Sequence, residues 1–236
     1  MFKIINAKNT DHHIHSCTFS DGINTIEEIV EYAGKMKLKE ITISDHSQAE
    51  LEFSKKRYGV CQSTCRYTVN SYQNIKNNVK VNFSVEADLL DAKGNVCFDI
   101  QGQKSEKFIL SAHQGIYLGK DKQLNEAYEK AILKYKDKIT CIGHPCLDHN
   151  YYPDLHFAPL ETYLDIDRLT EFTNKHKIPL EVNGKSLIKK CENEKLLKQM
   201  LEKAKLIMIN SDAHNLWGLK YPIPFAYKWL KENSFL

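Results

Sequence analysis

The sequence predicts an α/β fold built as a barrel of about seven βα units, and two observations indicate it. Seven short apolar runs, rich in β-branched residues, recur along the 236 residues, as expected for the buried strands of a parallel sheet. Longer amphipathic segments separate most of these runs, which is typical of right-handed βαβ units. The length suits one large domain, so we expect residues 1–236 to form a single barrel.

The seven predicted strands are short and mostly apolar. They cover residues 12–16, 40–44, 81–87, 107–112, 139–143, 178–183 and 206–211. In a βα barrel the carboxyl ends of the strands meet at one rim, and that rim holds the active site. The residues at the ends of these runs are therefore the candidate functional residues.

Five amphipathic segments are predicted as helices, at residues 24–37, 124–135, 166–176, 192–205 and 225–231. In the first of them, Thr25 is followed by Glu27 and Glu28, and acidic residues are favoured in the first turn of a helix.

Two connections depart from this regular alternation. Residues 47–80 are too many for one crossover, so we expect an active-site loop there before the helix. Lys93, Gly94 and Asn95 predict a turn in a small excursion after the third strand.

Composition limits the class of partner and the cellular setting. The formal net charge is only +3, and the lysines are dispersed among glutamates, so no nucleic-acid or membrane partner is required on electrostatic grounds. No apolar run approaches the ~20 residues that span a bilayer, and the start has no signal-peptide pattern. Seven scattered cysteines, including the pair Cys61 and Cys65, indicate reduced thiols in a cytoplasmic protein.

Histidines collect at the predicted strand ends. Six of the ten lie there, namely His13, His15, His46, His113, His144 and His214. Residues two apart in a strand project to the same side, so the two imidazoles of the first strand can reach one ion. Three carboxylates accompany the histidines: Asp21, Glu86 and Asp212.

These nine side chains predict a metal centre. They are too many for one tetrahedral zinc site and suit two or three divalent ions that share bridging groups, with Glu86 well placed to bridge. Mixed nitrogen and oxygen ligands without thiolate favour Zn, Mn or Fe over Ca or Mg.

The order and spacing of the motifs D-H-H-I-H-S, S-D-G, I-S-D-H, V-E-A-D, S-A-H, G-H-P and N-S-D-A-H resemble those of the PHP superfamily (polymerase and histidinol phosphatase), most closely its histidinol-phosphatase branch. The resemblance runs from Asp11 to about Gly218. It implies a distorted (β/α)7 TIM-like barrel with a trinuclear site.

The same resemblance implies three sets of ligands. They are His13, His15, Glu86 and Asp212 for the first ion, Glu86, His113 and His144 for the second, and Asp21, His46 and His214 for the third. His12 stands where the family usually has an apolar residue, and we expect it to point away from His13 and His15.

The predicted activity is hydrolysis of a phosphate monoester by a hydroxide that bridges the ions, which also neutralise the phosphoryl oxygens. Histidinol phosphate or another small phosphorylated metabolite is the expected substrate. Glu86 and Asp45 are the predicted catalytic residues, with His149 and His156 as further candidates for proton transfer. Arg57, Arg66 and Lys185 are candidates for binding the phosphate.

Three other functions remain open on the sequence alone. A nuclease or nucleotide phosphodiesterase would use the same chemistry, although the near-neutral charge does not favour a long nucleic acid. A non-catalytic, metal-binding regulatory domain is the second, and hydrolysis of a substrate without phosphate is the third.

Overall fold

Parallel strands and helices alternate along the chain in the computed structural model, which describes residues 1–58, 75–119, 123–148 and 160–236. The strands of these residues are β1 (Lys3–Ile4), β2 (Thr10–Ile14), β3 (Glu40–His46), β4 (Lys80–Leu89), β5 (Val96–Cys97), β6 (Asp99–Ile100), β7 (Gln103–Lys104), β8 (Phe108–Ser111), β9 (Ile139–Ile142), β10 (Leu180–Asn183) and β11 (Leu206–Asn210). The helices are α1 (Ile26–Lys35), α2 (Gln48–Tyr58), α3 (Leu124–Tyr135), α4 (Ile166–His176), α5 (Gly184–Lys189), α6 (Glu194–Lys203), α7 (Leu216–Lys220) and α8 (Pro222–Glu232).

Eight of the described strands form one parallel sheet in the order β1-β11-β10-β9-β8-β4-β3-β2. They curve through 251°. A parallel bridge between Ile14 and Ala213 joins the end of β2 to the segment after β11. β1 pairs with the first residues of β11, and the end of β2 bridges the segment after β11. Both strands therefore lie along the same edge of β11. This arrangement is a distorted TIM-like barrel, as the sequence predicts.

The register of neighbouring strands already places polar side chains together. β3 pairs with β4 from Glu40 opposite Lys80 to His46 opposite Glu86. β10 pairs with β11 so that Asn183 lies opposite Asn210. Because alternate residues of a strand share one face, His46 and Glu86 point into the barrel, whereas Ile41 and Ile43 of β3 point towards α1.

The apolar core lies between the sheet and the surrounding helices. Its largest cluster packs α3, α4, α6 and α8 against the outer face of β4 and β8–β11, with Phe108, Leu169 and Leu197 fully buried. A second cluster packs α1 against β2 and β3. α1 begins with a capping box, in which the Thr25 hydroxyl accepts from Glu28 N and the Glu28 carboxylate accepts from Thr25 N.

Two connections can be compared with the sequence prediction. The turn predicted at Lys93, Gly94 and Asn95 is present between β4 and β5. Gly94 N donates to Asp91 O at 3.0 Å, and β5 pairs antiparallel with β4. The predicted order of loop and helix after β3 is wrong, because α2 begins at Gln48. Ser47 allows this early start, since its hydroxyl accepts from Ala49 N and its carbonyl accepts from Leu51 N.

Two global properties follow from the described residues. Their helices include none with the length and apolarity needed to cross a membrane. The five cysteines among them, Cys17, Cys97, Cys141, Cys146 and Cys191, are all free thiols. Cys61 and Cys65 lie outside the described residues.

Candidate metal centre

Glu86 stands at the centre of the barrel rim, and its carboxylate contacts five of the six predicted histidine ligands. Its Oε1 lies 2.7 Å from His144 Nε2, 3.3 Å from His113 Nε2 and 3.5 Å from His13 Nε2. Its Oε2 lies 3.1 Å from His46 Nδ1 and 3.4 Å from His15 Nε2. Four strand ends therefore deliver five imidazoles to one buried carboxylate.

The two aspartates connect the remaining histidine to this group. Asp21 Oδ1 lies 3.3 Å from His46 Nε2 and 2.9 Å from His214 Nε2. Asp212 Oδ1 lies 3.5 Å from His15 Nε2 and 3.3 Å from His214 Nδ1. The structure thus brings together all nine side chains that the sequence predicts as ligands.

Local backbone geometry aims three of these ligands. His144 and Asp212 lie two residues after the ends of β9 and β11. Their φ values of +26° and +56° are left-handed, an uncommon conformation for non-glycine residues that tends to occur at functional sites. Gly22 lets the loop of Asp21 fold back onto β2, because a Cβ at this position would lie 2.5 Å from His15 O.

Three groups of these ligands lie close enough to hold one ion each. The first is His13, His15 and Asp212, the second is His46, Glu86 and His113, and the third is His15, Asp21, His46 and His214. They resemble the three sets implied by the family, with four differences. Glu86 is absent from the first group and His144 is absent from the second, whereas His46 joins the second group and His15 joins the third.

The donor atoms fit divalent cations. Among the described residues, His13 Nε2 and His15 Nε2 have no hydrogen-bond partner although both rings are buried. Buried polar atoms without partners are costly, and a cation that accepts both nitrogen lone pairs and carboxylate oxygens removes this cost. The absence of thiolate from these groups agrees with Zn, Mn or Fe.

A second layer of polar side chains fixes the orientation of the imidazoles. His13 Nδ1 lies 2.9 Å from Glu181 Oε1, His113 Nδ1 lies 2.6 Å from Asp88 Oδ1, and His15 Nδ1 lies 2.8 Å from Ser20 Oγ. Such bonds place the proton on Nδ1 and leave the Nε2 lone pair for a metal ion.

Glu181 organises the floor of the site. Its carboxylate accepts hydrogen bonds from His144 N, Asn183 Nδ2 and Asn210 Nδ2, in addition to its contact with His13. Burial alone would raise the pKa of Glu181, but His13 beside it keeps that pKa below its ordinary value. The carboxylate is therefore charged and would complement a cation bound by His13.

The same balance of burial and charge acts on the ligands. Burial would raise the pKa of Glu86, but His113 and His13 hold it well below its usual range. Burial lowers the pKa of His15 well below its ordinary value, and His214 and His46 lower it further. Burial would lower the pKa of His13, His46 and His113, but nearby carboxylates raise it above the ordinary value, so these imidazoles would release a proton on binding a metal ion.

Sequence reasoning missed Glu181, Asp88, Ser20, Asn183 and Glu50. Glu50, in the first turn of α2, lies with Asp88 within ligand distance of His113. The spacing of two residues between Glu86 and Asp88 was a signal for Asp88, because both side chains then face the barrel interior.

Asp45 is not where the predicted catalytic role requires it. Its carboxylate accepts hydrogen bonds from Ser16 N and Ser16 Oγ, and it lies on the opposite face of β3 from His46. Strand alternation explains this placement, since adjacent residues point to opposite sides. The geometry therefore contradicts a part for Asp45 in proton transfer. His12, as expected, points away from the cluster and contacts Thr42 Oγ1 at 2.9 Å.

The candidates for phosphate binding have different outcomes. Lys185, on α5, lies at the site with its Nζ 3.0 Å from Asp212 Oδ1. Arg66, His149 and His156 lie outside the described residues, as does the side chain of Arg57 in α2.

Comparison with known proteins agrees with this geometry. Residues 11–185 match the family model of the PHP domain, whereas no curated protein matches the chain. A candidate histidinol phosphatase, HisK from Listeria monocytogenes, is 16% identical, with a TM-score of 0.56 over 89% of this chain and 97% of that one. Histidinol phosphate phosphatase from Lactococcus lactis, solved with zinc, L-histidinol and phosphate, is 16% identical, with a TM-score of 0.54 over 95% of this chain and 93% of that one. The matched region covers most of the chain, and the chain therefore belongs to the PHP domain family.

Proposed function

We propose that the protein is a metal-dependent phosphatase that hydrolyses the phosphate monoester of a small metabolite, with histidinol phosphate as the specific candidate. One observation carries the proposal: nine histidine and carboxylate side chains from six strand ends, with Glu86 at their centre, meet at the barrel rim. The Lactococcus neighbour, whose structure contains zinc, L-histidinol and phosphate, supports the choice of substrate.

Divalent ions held by this cluster would activate water near neutral pH and neutralise charge on the phosphoryl oxygens. The protein's part is to hold the ligands in position before the substrate arrives. Glu181, Asp88 and Ser20 fix three imidazoles, and Ser111 Oγ donates to Glu86 Oε1 at 2.8 Å. A rigid ligand set allows bound charge to be stabilised without reorganisation.

The opening above the cluster supplies positive charge for the substrate's phosphate. Lys185 and Lys189 both line it, one turn apart on α5. Burial would lower the pKa of Lys185, but Asp212 raises it above its ordinary value, so this ammonium group stays charged. We propose that Lys185 binds a phosphoryl oxygen on the side of the site formed by Asp212 and His214.

The test is phosphate release by the metal-loaded protein. Histidinol phosphate, sugar phosphates and mononucleotides are compared as substrates, alongside cleavage of single-stranded DNA. The proposal expects release of inorganic phosphate from small monoesters, fastest from histidinol phosphate. Cleavage of DNA alone would indicate a nuclease. A fully metal-loaded protein without activity on any of these would contradict the proposal and favour a regulatory domain or a substrate without phosphate.

A further inference from the structure

One amide side chain behind the metal centre contacts two carboxylates at the same time. Asn183, the last residue of β10, is completely buried. Its Nδ2 donates to Asp212 Oδ2 at 3.1 Å and to Glu181 Oε2 at 3.2 Å. Asp212 belongs to one candidate ion site together with His13, and Glu181 orients the ring of His13. Asn183 therefore acts on the same ion site from two sides.

The amide of Asn183 uses all of its hydrogen-bonding capacity. Its Oδ1 accepts from Ser186 N at 2.9 Å and from Ser186 Oγ at 3.1 Å, and its two N–H groups each have a carboxylate acceptor. Turning the amide over would place its oxygen against two carboxylates and its NH2 group against the Ser186 N–H. The partners thus allow one orientation, and the first turn of α5 holds the amide in it.

The two oxygens of Asp212 have different surroundings. Oδ2 accepts from Asn183, whereas Oδ1 lies 3.5 Å from His15 Nε2 and 3.0 Å from Lys185 Nζ. The bond to Oδ2 restricts rotation of the carboxylate, so Oδ1 stays on the side of the histidine ligands. Partners that orient metal ligands in this way change metal affinity or activity by roughly 10–100-fold when they are removed.

We infer that Asn183 is a positioning residue of the metal centre: its amide fixes the Asp212 carboxylate for the ion that His13 and His15 also bind. The inference rests on the proposed metal-dependent function, but it concerns ion binding and can be measured without a substrate. The amide also donates one hydrogen to each of two buried carboxylates, which are stable in the interior only when they are paired or hydrogen-bonded.

Two substitutions keep the N-cap of α5 and remove the donors. Asn183→Ser and Asn183→Asp both leave an oxygen that can accept from Ser186 N, because Ser, Asp and Asn cap helices about equally well. Neither carries the NH2 group, and Asp also keeps the size of the side chain. A role limited to capping or filling space would leave Asn183→Asp indistinguishable from wild type.

The measurement is titration of metal-depleted protein with Co²⁺, followed by the visible absorption of the bound ion. In Asn183→Ser, the Kd of at least one Co²⁺ ion should rise by about 10-fold or more. Both variants should show an altered absorption spectrum of bound Co²⁺. With histidinol phosphate as substrate, both should lower kcat at least about 10-fold and leave KM within about twofold of wild type, because the ion moves while the substrate contacts remain.

Asn193 provides the matched control, because it caps α6 with its Oδ1 3.2 Å from Leu196 N. Asn193→Ser and Asn193→Asp should bind Co²⁺ as wild type does. Unchanged Co²⁺ affinity and spectra in the Asn183 variants, or equal changes in the Asn193 variants, would overturn the inference while phosphate release by wild type left the phosphatase proposal intact. The expected Co²⁺ changes in a protein that releases no phosphate would instead contradict the phosphatase proposal alone.

Discussion

Glu86 is the residue on which the site depends most. Its side chain is 1% exposed, and its two oxygens reach ligands that come from β2, β3, β8 and β9. It can share its oxygens between ions in a way that no single imidazole can. The cost of burying its charge is offset only while cations or histidines surround it.

Replacing Glu86 with Gln should remove this bridge without changing the size of the side chain. We expect metal content to fall by at least one ion per chain and kcat/KM for phosphate release to fall at least ~100-fold, since the amide cannot supply two anionic oxygens. Metal analysis by mass spectrometry and a phosphate assay measure the two effects. Glu40→Gln, at the opposite end of β3, is the control and should keep both values near wild type.

Glu192 provides a prediction about pH and stability. Its carboxyl is buried, neither oxygen has a hydrogen-bond partner among the described residues, and burial followed by the charge of Glu181 raises its pKa to about 8. The folded protein therefore binds a proton that the unfolded chain, with the ordinary value of 4.5, releases. The protonated side chain is tolerated at low pH, and stability is lost as the pH rises from 4.5 towards 8.

Glu192→Gln should abolish this loss. Relative to wild type, the variant should gain little free energy of unfolding at pH 5 and about 3 kcal/mol at pH 7. Urea unfolding of both metal-loaded proteins at pH 5, 6, 7 and 8 measures the difference. Glu202→Gln, on the exposed face of α6, should show no such trend. A difference that stays constant with pH would refute this account of Glu192.

At the scale of elements, periodicity predicted the long regular segments well. The predicted helices 124–135 and 166–176 coincide with α3 and α4, and all seven predicted strands are present within a few residues. Burial on one face repeats every turn in these segments, so the sequence carries the signal. The sequence prediction missed α5, because this helix has only six residues and directly follows β10. Asn183 is both the last residue of β10 and the N-cap of α5, since its Oδ1 accepts a hydrogen bond from Ser186 N.

The candidate site was predictable to the extent that it lies at strand ends. His144 and Asp212 could be assigned because a polar residue after an apolar run stands out. Glu181 could not, since it lies inside β10 and reads as an ordinary strand residue. Its role depends on Asn210 and His13, which are distant in sequence and meet it only across the folded barrel.

The substitution Gly184→Ala tests how closely α5 packs against α8. A Cβ at this position would lie 2.6 Å from both the carbonyl carbon and the Cβ of Pro222, and a clash with backbone cannot be relieved by a rotamer change. Gly184→Ala should therefore lower the free energy of unfolding by about 2–3 kcal/mol. In Gly102→Ala an added Cβ meets nothing, so only the cost of left-handed backbone remains, about 1 kcal/mol. Thermal unfolding compares the two, and equal losses would contradict the packing argument.

At the scale of the whole molecule, the metal centre joins the two ends of the barrel. His13 and His15 come from β2 and the residue following it, whereas Asp212 and His214 follow β11, about two hundred residues later. The backbone bridge between Ile14 and Ala213 holds these segments together. Ions bound here should stabilise the closed barrel, because the ligand set exists only in the folded chain.

Metal removal should consequently destabilise the protein. An ion present at 1,000 times its Kd adds about 4 kcal/mol, and each kcal/mol shifts Tm by about 2–4 °C in a chain of this size. We expect chelation to lower Tm by at least ~8 °C. Differential scanning calorimetry with and without chelator measures this change, and Glu86→Gln should respond less than wild type. A Tm that does not respond to chelation would show that the ions do not stabilise the barrel.

Anomalous diffraction at the metal absorption edge, from crystals of metal-loaded protein, tests the central claim most directly. The account predicts two or three anomalous peaks, each within coordination distance of the groups that contain His13, Glu86 and Asp21, and each within reach of the same rim cavity. A protein that crystallises folded from excess zinc or manganese but shows no peak among these side chains would contradict the account.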